Sequence, residues 1–208
     1  MLSKTSIKNL IPVMVLILLP LLYMINRSMW LIDQSREISL KQAIELCLPE
    51  AFRWSPDARL AYAISTEAGE DLATGSQGKD GLRSNWNVIF VEENTGRNLL
   101  VAVHEGRISY TRELLMAFKH PIDLSALKFD STAAIRQLIT DKNQPPSKVH
   151  FELFRQHSPV LRVYQKYSNI NSRITSIDEA TGEIVSQWDS TVDQNPVFSL
   201  PVVNEQIR

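Results

Sequence analysis

Four histidines, His104, His120, His150 and His157, and one cysteine, Cys47, are the side chains best suited to ligate a metal or to pair as nucleophile and base. Their spacing argues against both. No H-E-x-x-H or H-x-x-x-H pattern occurs, and His150 with Glu152 on one strand face would supply two ligands where a structural zinc site takes four. Gly78-Lys79-Asp80 ends a glycine-rich stretch, but residue 73 is Ala and no Ser or Thr follows Lys79, so no phosphate-binding loop is encoded. No G-x-S-x-G elbow is present. Asp178, Glu179 and Glu183 could be imagined as an acid pair, yet their place in a hairpin makes them solvated turn residues. Cys47 falls on the apolar face of a helix, where it behaves as a small hydrophobe. The chain is therefore expected to be no enzyme, with no catalytic residue, cofactor ligand or metal ligand assigned.

Two further groups of side chains could bind without catalysing. Trp86, Phe90, Tyr164, Tyr167 and Trp188 would suit a ligand groove, although strands that carry aromatics usually use them as core and sheet surface. After the last regular element, Val197, Phe198, Leu200, Val202 and Val203 concentrate apolar surface in a tail that must dock on its own body or on a partner. Pro196 and Pro201 disfavour a helix there, so the tail is expected to add to a sheet edge or fill a groove as a partner-binding element.

The elements that position these residues begin with an uncharged apolar run from Leu10 to Ile25. At ~1.5 Å per residue it reaches roughly 24 Å, short of a ~30 Å hydrocarbon core unless Met29-Trp30-Leu31-Ile32 extend it. No A-x-A-like cleavage site follows, and no Cys ends the run, so an uncleaved anchor is expected rather than a signal peptide or a lipoprotein. Its lipid-facing residues would be Leu10, Val13, Leu16, Leu19, Leu22 and Ile25. Lys4, Lys8 and the starting amine make the N-terminal side slightly the more basic, which places the N-terminus in the cytoplasm and the body outside it. The net charge of −1, with acids and bases interspersed, gives no basic stripe for nucleic acid. The lone cysteine allows no internal disulfide, so the body must be held by its hydrophobic core.

Beyond the anchor the sequence reads as one unit written twice. Ser39 is suited to cap a helix carrying Leu40, Ala43, Ile44 and Cys47 on one stripe, which Pro49 should end or kink. Strands are predicted at 59–64, 86–91 and 99–103, and Gly69 to Ser84 is predicted as a long mobile loop. Asp130 or Ser131 opens a second helix with Ala134, Ile135, Leu138 and Ile139 on one face. Strands follow at 149–154, 160–167 and 173–177, and a turn at 178–182 runs into 183–188. The expected class is α+β: a single N-terminal transmembrane helix, then two helix-plus-antiparallel-sheet (α-β-β-β) repeats. The boundaries are 1–35 for the tail and anchor, 36–112 and 130–190 for the repeats, 113–129 for a connector and 191–208 for the C-terminal tail.

Ile177-Asp-Glu-Ala-Thr-Gly-Glu-Ile-Val185, preceded by Leu161-Arg-Val-Tyr164, resembles the turn and strand of a PepSY domain. Trp86-Asn-Val-Ile-Phe90 and Val101-Ala-Val-His-Glu-Gly106 resemble it more loosely, with His104 where the pattern favours Asp. The resemblance spans residues 38–188. It implies an extracytoplasmic, membrane-tethered, tandem module without enzymatic activity, associated with the regulation of peptidases. Its partners would be the bilayer and another membrane or extracytoplasmic protein, either as an accessory subunit of a complex or as a peptidase regulator. The rival expectation is a carrier or sensor of an apolar or lipid ligand between helix and sheet.

Overall fold

The computed structural model describes residues 37–66, 76–115, 118, 120–139 and 145–190. The chain divides into Met1–Arg36 and a compact body, Glu37–Arg208. The anchor residues from Leu10 to Ile25 and the tail residues Val197, Phe198, Leu200, Val202 and Val203 lie outside the described residues. Among the described residues no helix is long and apolar enough to cross a membrane.

The body is α+β. Helix α1, Leu40–Trp54, starts at a capping box: Ser39 Oγ accepts from Gln42 N–H, and the Gln42 side chain accepts from Ser39 N–H at 3.0 Å. Leu40, Ala43, Ile44, Cys47 and Ala51 form its buried stripe, and the helix runs through Pro49 to Trp54 rather than ending there. Helix α2, Ser131–Leu138, is half as long and is capped by Asp130. The two N-termini share their caps. Asp130 Oδ1 accepts from Lys41 N–H at 3.0 Å, and Ser131 Oγ accepts from Leu40 N–H at 3.0 Å while donating to Gly81 O. Orphan donors of one helix are thus satisfied by the first residues of the other.

Eight antiparallel strands form one sheet in the order β4-β3-β2-β1-β5-β6-β7-β8. They are β1 Ala58–Ser65, β2 Asn85–Glu92, β3 Arg97–His104, β4 Arg107–Leu114, β5 Lys148–Arg155, β6 Pro159–Lys166, β7 Ser172–Asp178 and β8 Ile184–Ser190. Each half is therefore a helix followed by four strands, where the sequence predicts three, and the halves meet where β1 runs against β5. The extra strands are β4, at the end of the first repeat and running into the predicted connector, and β8, read from sequence only as the stretch after the turn at 178–182. Strand β4 lies at a sheet edge with most of its side chains exposed, and Arg112 interrupts the alternation of Ile108, Tyr110 and Leu114.

One sheet face packs on the helices through Leu60, Ala63, Trp86, Val88, Phe90, Val101, Phe151, Leu153, Leu161, Val163 and Ile177. Trp86 and Phe151 stack across the seam with centroids 6.1 Å apart, and the Trp86 indole donates to Ile38 O. The opposite, outer face of β2 and β3 is also buried, at Ile89, Val91, Leu100 and Ala102. The segment after β4 returns over that face: Phe118 N–H donates to Asn98 Oδ1, and the Phe118 ring packs on Tyr62, which pairs with Ile89.

The stretch predicted as a mobile loop behaves differently in its described part. Residues 76–84 pack into the body: Arg83 is 2% exposed and exchanges two backbone hydrogen bonds with Ile38. Its guanidinium donates to Ser76 O and Thr66 O. Glycine here serves close approach rather than mobility. A Cβ on Gly78 would sit 2.4 Å from Val149 O, and one on Gly81 would sit 2.4 Å from Thr132 Cα, both at positive φ.

Candidate functional site

The histidines do not converge. His104 Nδ1 donates to Asn85 Oδ1 on the neighbouring strand, His150 is buried beside Ser65 Oγ, and His120 and His157 are exposed. Among the described residues no group of three His, Cys, Asp or Glu side chains is placed to hold a metal. Cys47 is buried in α1, and burial, then the Glu50 charge, pushes its thiol up to about 12, far from a reactive thiolate. The five aromatics likewise separate. Trp86 and Phe90 are fully buried on the helix face, Tyr164 lies on the outer face, and Trp188 is on the edge strand β8. Arg173 stands over the Tyr167 ring at 5.8 Å.

Two polar arrangements went unrecognised in the sequence. The first sits on the outer face at the seam. Glu152 on β5 accepts from Tyr62 of β1 at 2.9 Å and from Tyr164 and Arg162 of β6 at 2.6 and 3.0 Å. Arg162 also covers the Phe154 ring at 4.4 Å. Burial, together with the Glu152 carboxylate, raises both phenols, Tyr164 to about 12, so they act as donors and not as bases. The signal was present as alternating side chains on 152, 154, 162 and 164, but the pairing of β1 with β5 that adds Tyr62 is a long-range event.

The second lies in the turn between β7 and β8. Asp178 accepts from Ala180 N–H and Thr181 N–H and from Ser158 Oγ, bonds that hold its carboxyl below the usual range. Glu179, expected to be solvated, is instead fully buried. Its Oε2 accepts from Phe129 N–H at 3.1 Å, its Oε1 has no hydrogen-bond partner, and burial raises its pKa to about 8. The turn faces inward because Gly182, at φ +78°, lies against the Phe129 ring, where a Cβ would come within 2.0 Å.

The two sheet edges differ in chemistry. The described side chains of β4 are mostly polar or charged, among them Arg107, Arg112 and Glu113, with Tyr110 exposed. On β8 the exposed side chains include Ile184, Val185 and Trp188, at 46, 56 and 44%. No strand among the described residues pairs with the outer side of β8. An open apolar edge of this kind offers backbone donors and acceptors together with side-chain anchors to an incoming strand.

This architecture is shared with a solved structure, a candidate lipoprotein from Clostridium difficile 630. The likeness covers 76% of this chain and 97% of that one, at a TM-score of 0.52 and 11% identity, and so is one of fold. No protein-family model matches the chain. No curated protein matches it either.

Proposed function

We propose that the chain is a membrane-anchored, extracytoplasmic, non-enzymatic interaction module built from two PepSY-like repeats, and that a partner protein adds a strand to β8. The observation that carries this reading is the exposed apolar edge at Ile184, Val185 and Trp188, in a sheet whose other edge is charged. The turn leading into β8 is the segment with the strongest PepSY resemblance, Ile177–Val185. The tether is the apolar run from Leu10 to Ile25 and not an acylated cysteine, because the single cysteine is Cys47, buried in α1. The partner is another membrane or extracytoplasmic protein, which the module serves as an accessory subunit or, if the partner is a peptidase, as its regulator. The tail from Val197 to Val203 supplies a second contact. A ligand carried between helix and sheet would need room that Trp86, Phe90 and Phe151 fill.

The test is affinity recovery from detergent-solubilised membranes, comparing the full chain with Val185→Lys/Trp188→Ser and with a deletion of residues 195–208. The edge variant is expected to lose at least tenfold of the partner signal at an unchanged melting temperature, and the deletion to lose less. Undiminished recovery with the edge variant removes β8 from the interface. Protease added to intact cells should digest the body; protection would place it on the cytoplasmic side.

A further inference from the structure

The seam between the halves is a shorter ladder than any other in the sheet. β1 and β5 share two partner pairs, Ala63↔Leu153 and Ile64↔Glu152, whereas the other neighbouring strands share six to eight. A bulge between Leu60 and Tyr62 turns β1 away at this point. The strands diverge, and between Ala61-Tyr62 on one side and Phe154-Arg155 on the other lies a cleft of about 420 Å³. The lower end is closed by the returning segment, with Ile122 N–H donating to Leu60 O at 2.6 Å.

The walls of this cleft are apolar and braced. Phe118 packs on Tyr62 with centroids 5.0 Å apart, and Phe154 is backed by the Arg162 guanidinium. The floor is electrostatically quiet, because Glu152 already accepts from two phenols and is ion-paired with Arg162. At the rim Arg155 is exposed and has no carboxylate within ion-pairing reach among the described residues; its Nη1 donates only to Pro121 O at 2.6 Å. His120 stands exposed beside it. Two aromatic walls, a neutralised floor and one planar guanidinium with donors to spare complement a ligand with an apolar body and a single flat anionic head.

We propose that this seam cleft binds a small carboxylate with an aromatic or branched apolar body, about the size of one acylated amino acid, with Arg155 holding the carboxylate and Phe118 and Phe154 flanking the body. The site is independent of the β8 edge.

The full chain in lipid nanodiscs, titrated calorimetrically with N-acetylphenylalanine and with its uncharged amide, provides the test. Saturable binding is expected for the acid, with the amide about tenfold weaker. Arg155→Gln should abolish that discrimination, Arg155→Lys should keep most of it, and Phe154→Leu should weaken acid and amide alike. Arg173→Gln, at a half-buried arginine already paired with Asp189, should leave both affinities unchanged, as should Val185→Lys/Trp188→Ser, so loss of partner binding and loss of this site are read separately. Absence of saturable binding to the wild-type chain, equal affinity for acid and amide, or discrimination that survives Arg155→Gln would each overturn the assignment.

Discussion

The halves on either side of the β1–β5 seam repeat one order of elements, yet their surfaces have opposite characters. In the first half both faces of β2 and β3 are buried, one under the 15-residue α1 and the other beneath the returning segment at Phe118. Its free edge, β4, is charged. In the second half the helix has eight residues, the outer face carries the Glu152 network, and the free edge is apolar. The second half also holds buried polar side-chain atoms without a hydrogen-bond partner. Among the described residues, Arg162 Nε, Gln165 Nε2, Thr175 Oγ1 and Glu179 Oε1 of the second half are such atoms. The first half thus covers both faces of its central strands, whereas the second leaves apolar side chains of its edge strand exposed.

The largest difference between the halves is expected at the helices. Ile44→Asp buries an unpaired carboxylate beneath the helix that packs on all four strands of the first half, a cost of several kcal/mol, and should abolish the cooperative unfolding transition. Ile135→Asp, on the short helix, should lower the urea midpoint without eliminating the folded state. Equal losses would mean that the halves share stability evenly.

Next in size are the turns. Gly182→Ala combines positive φ with overlap onto Phe129 and should cost about 2–4 kcal/mol, whereas Gly96→Ala, at φ +68° with open space around it, should cost about 1–2 kcal/mol. Chemical denaturation of the two variants side by side measures the difference.

Glu179 makes stability depend on pH through the second half. Its native pKa, about 8, lies above its ordinary value, so between about pH 4.5 and 8 the native state holds a proton that the unfolded chain has lost. Stability should therefore fall as pH rises through that window, by on the order of a few kcal/mol. Lys41, which opposes the shift, and Asp130 and Asp178, which reinforce it, are the charged groups facing it. Glu179→Gln should flatten the slope in urea midpoints taken at pH 5 and pH 8.5; an unchanged slope would assign the dependence elsewhere.

The smallest effect on stability is expected at the edges. Val185→Lys on β8 and Tyr110→Ala on β4 should each shift stability by about 0.5 kcal/mol or less. They part in the pull-down, where only the β8 substitution should reduce partner recovery. Equal reductions would remove the distinction between the edges.

Local pattern was enough to locate both helices, because Leu40, Ala43, Ile44 and Cys47, and Ala134 with Ile135, recur at the spacing that one buried face imposes. The α+β class followed from the same logic, as did β1–β3 and β5–β7, whereas β8, an edge strand, was read only as the stretch that follows a turn. β4 escaped because an exposed edge strand carries no burial pattern. Residues 76–84 were misjudged because composition cannot distinguish a glycine needed for mobility from one needed for contact, and an arginine such as Arg83 is polar in sequence whether or not carbonyls await it. Glu179 looked solvated for the same reason: a turn's composition does not say which way it faces.

What the sequence determined by itself is what depends on short-range periodicity: the apolar run from Leu10 to Ile25, the helix stripes, the strands with one buried face and the repeat of their order. The tertiary structure alone decided how β1 meets β5, and with it the Tyr62–Glu152 bond, the cleft beside Arg155 and the contrast between the two edges. Those features join residues some ninety positions apart, and their geometry is set by where two strands diverge, a quantity that no local pattern of side chains encodes.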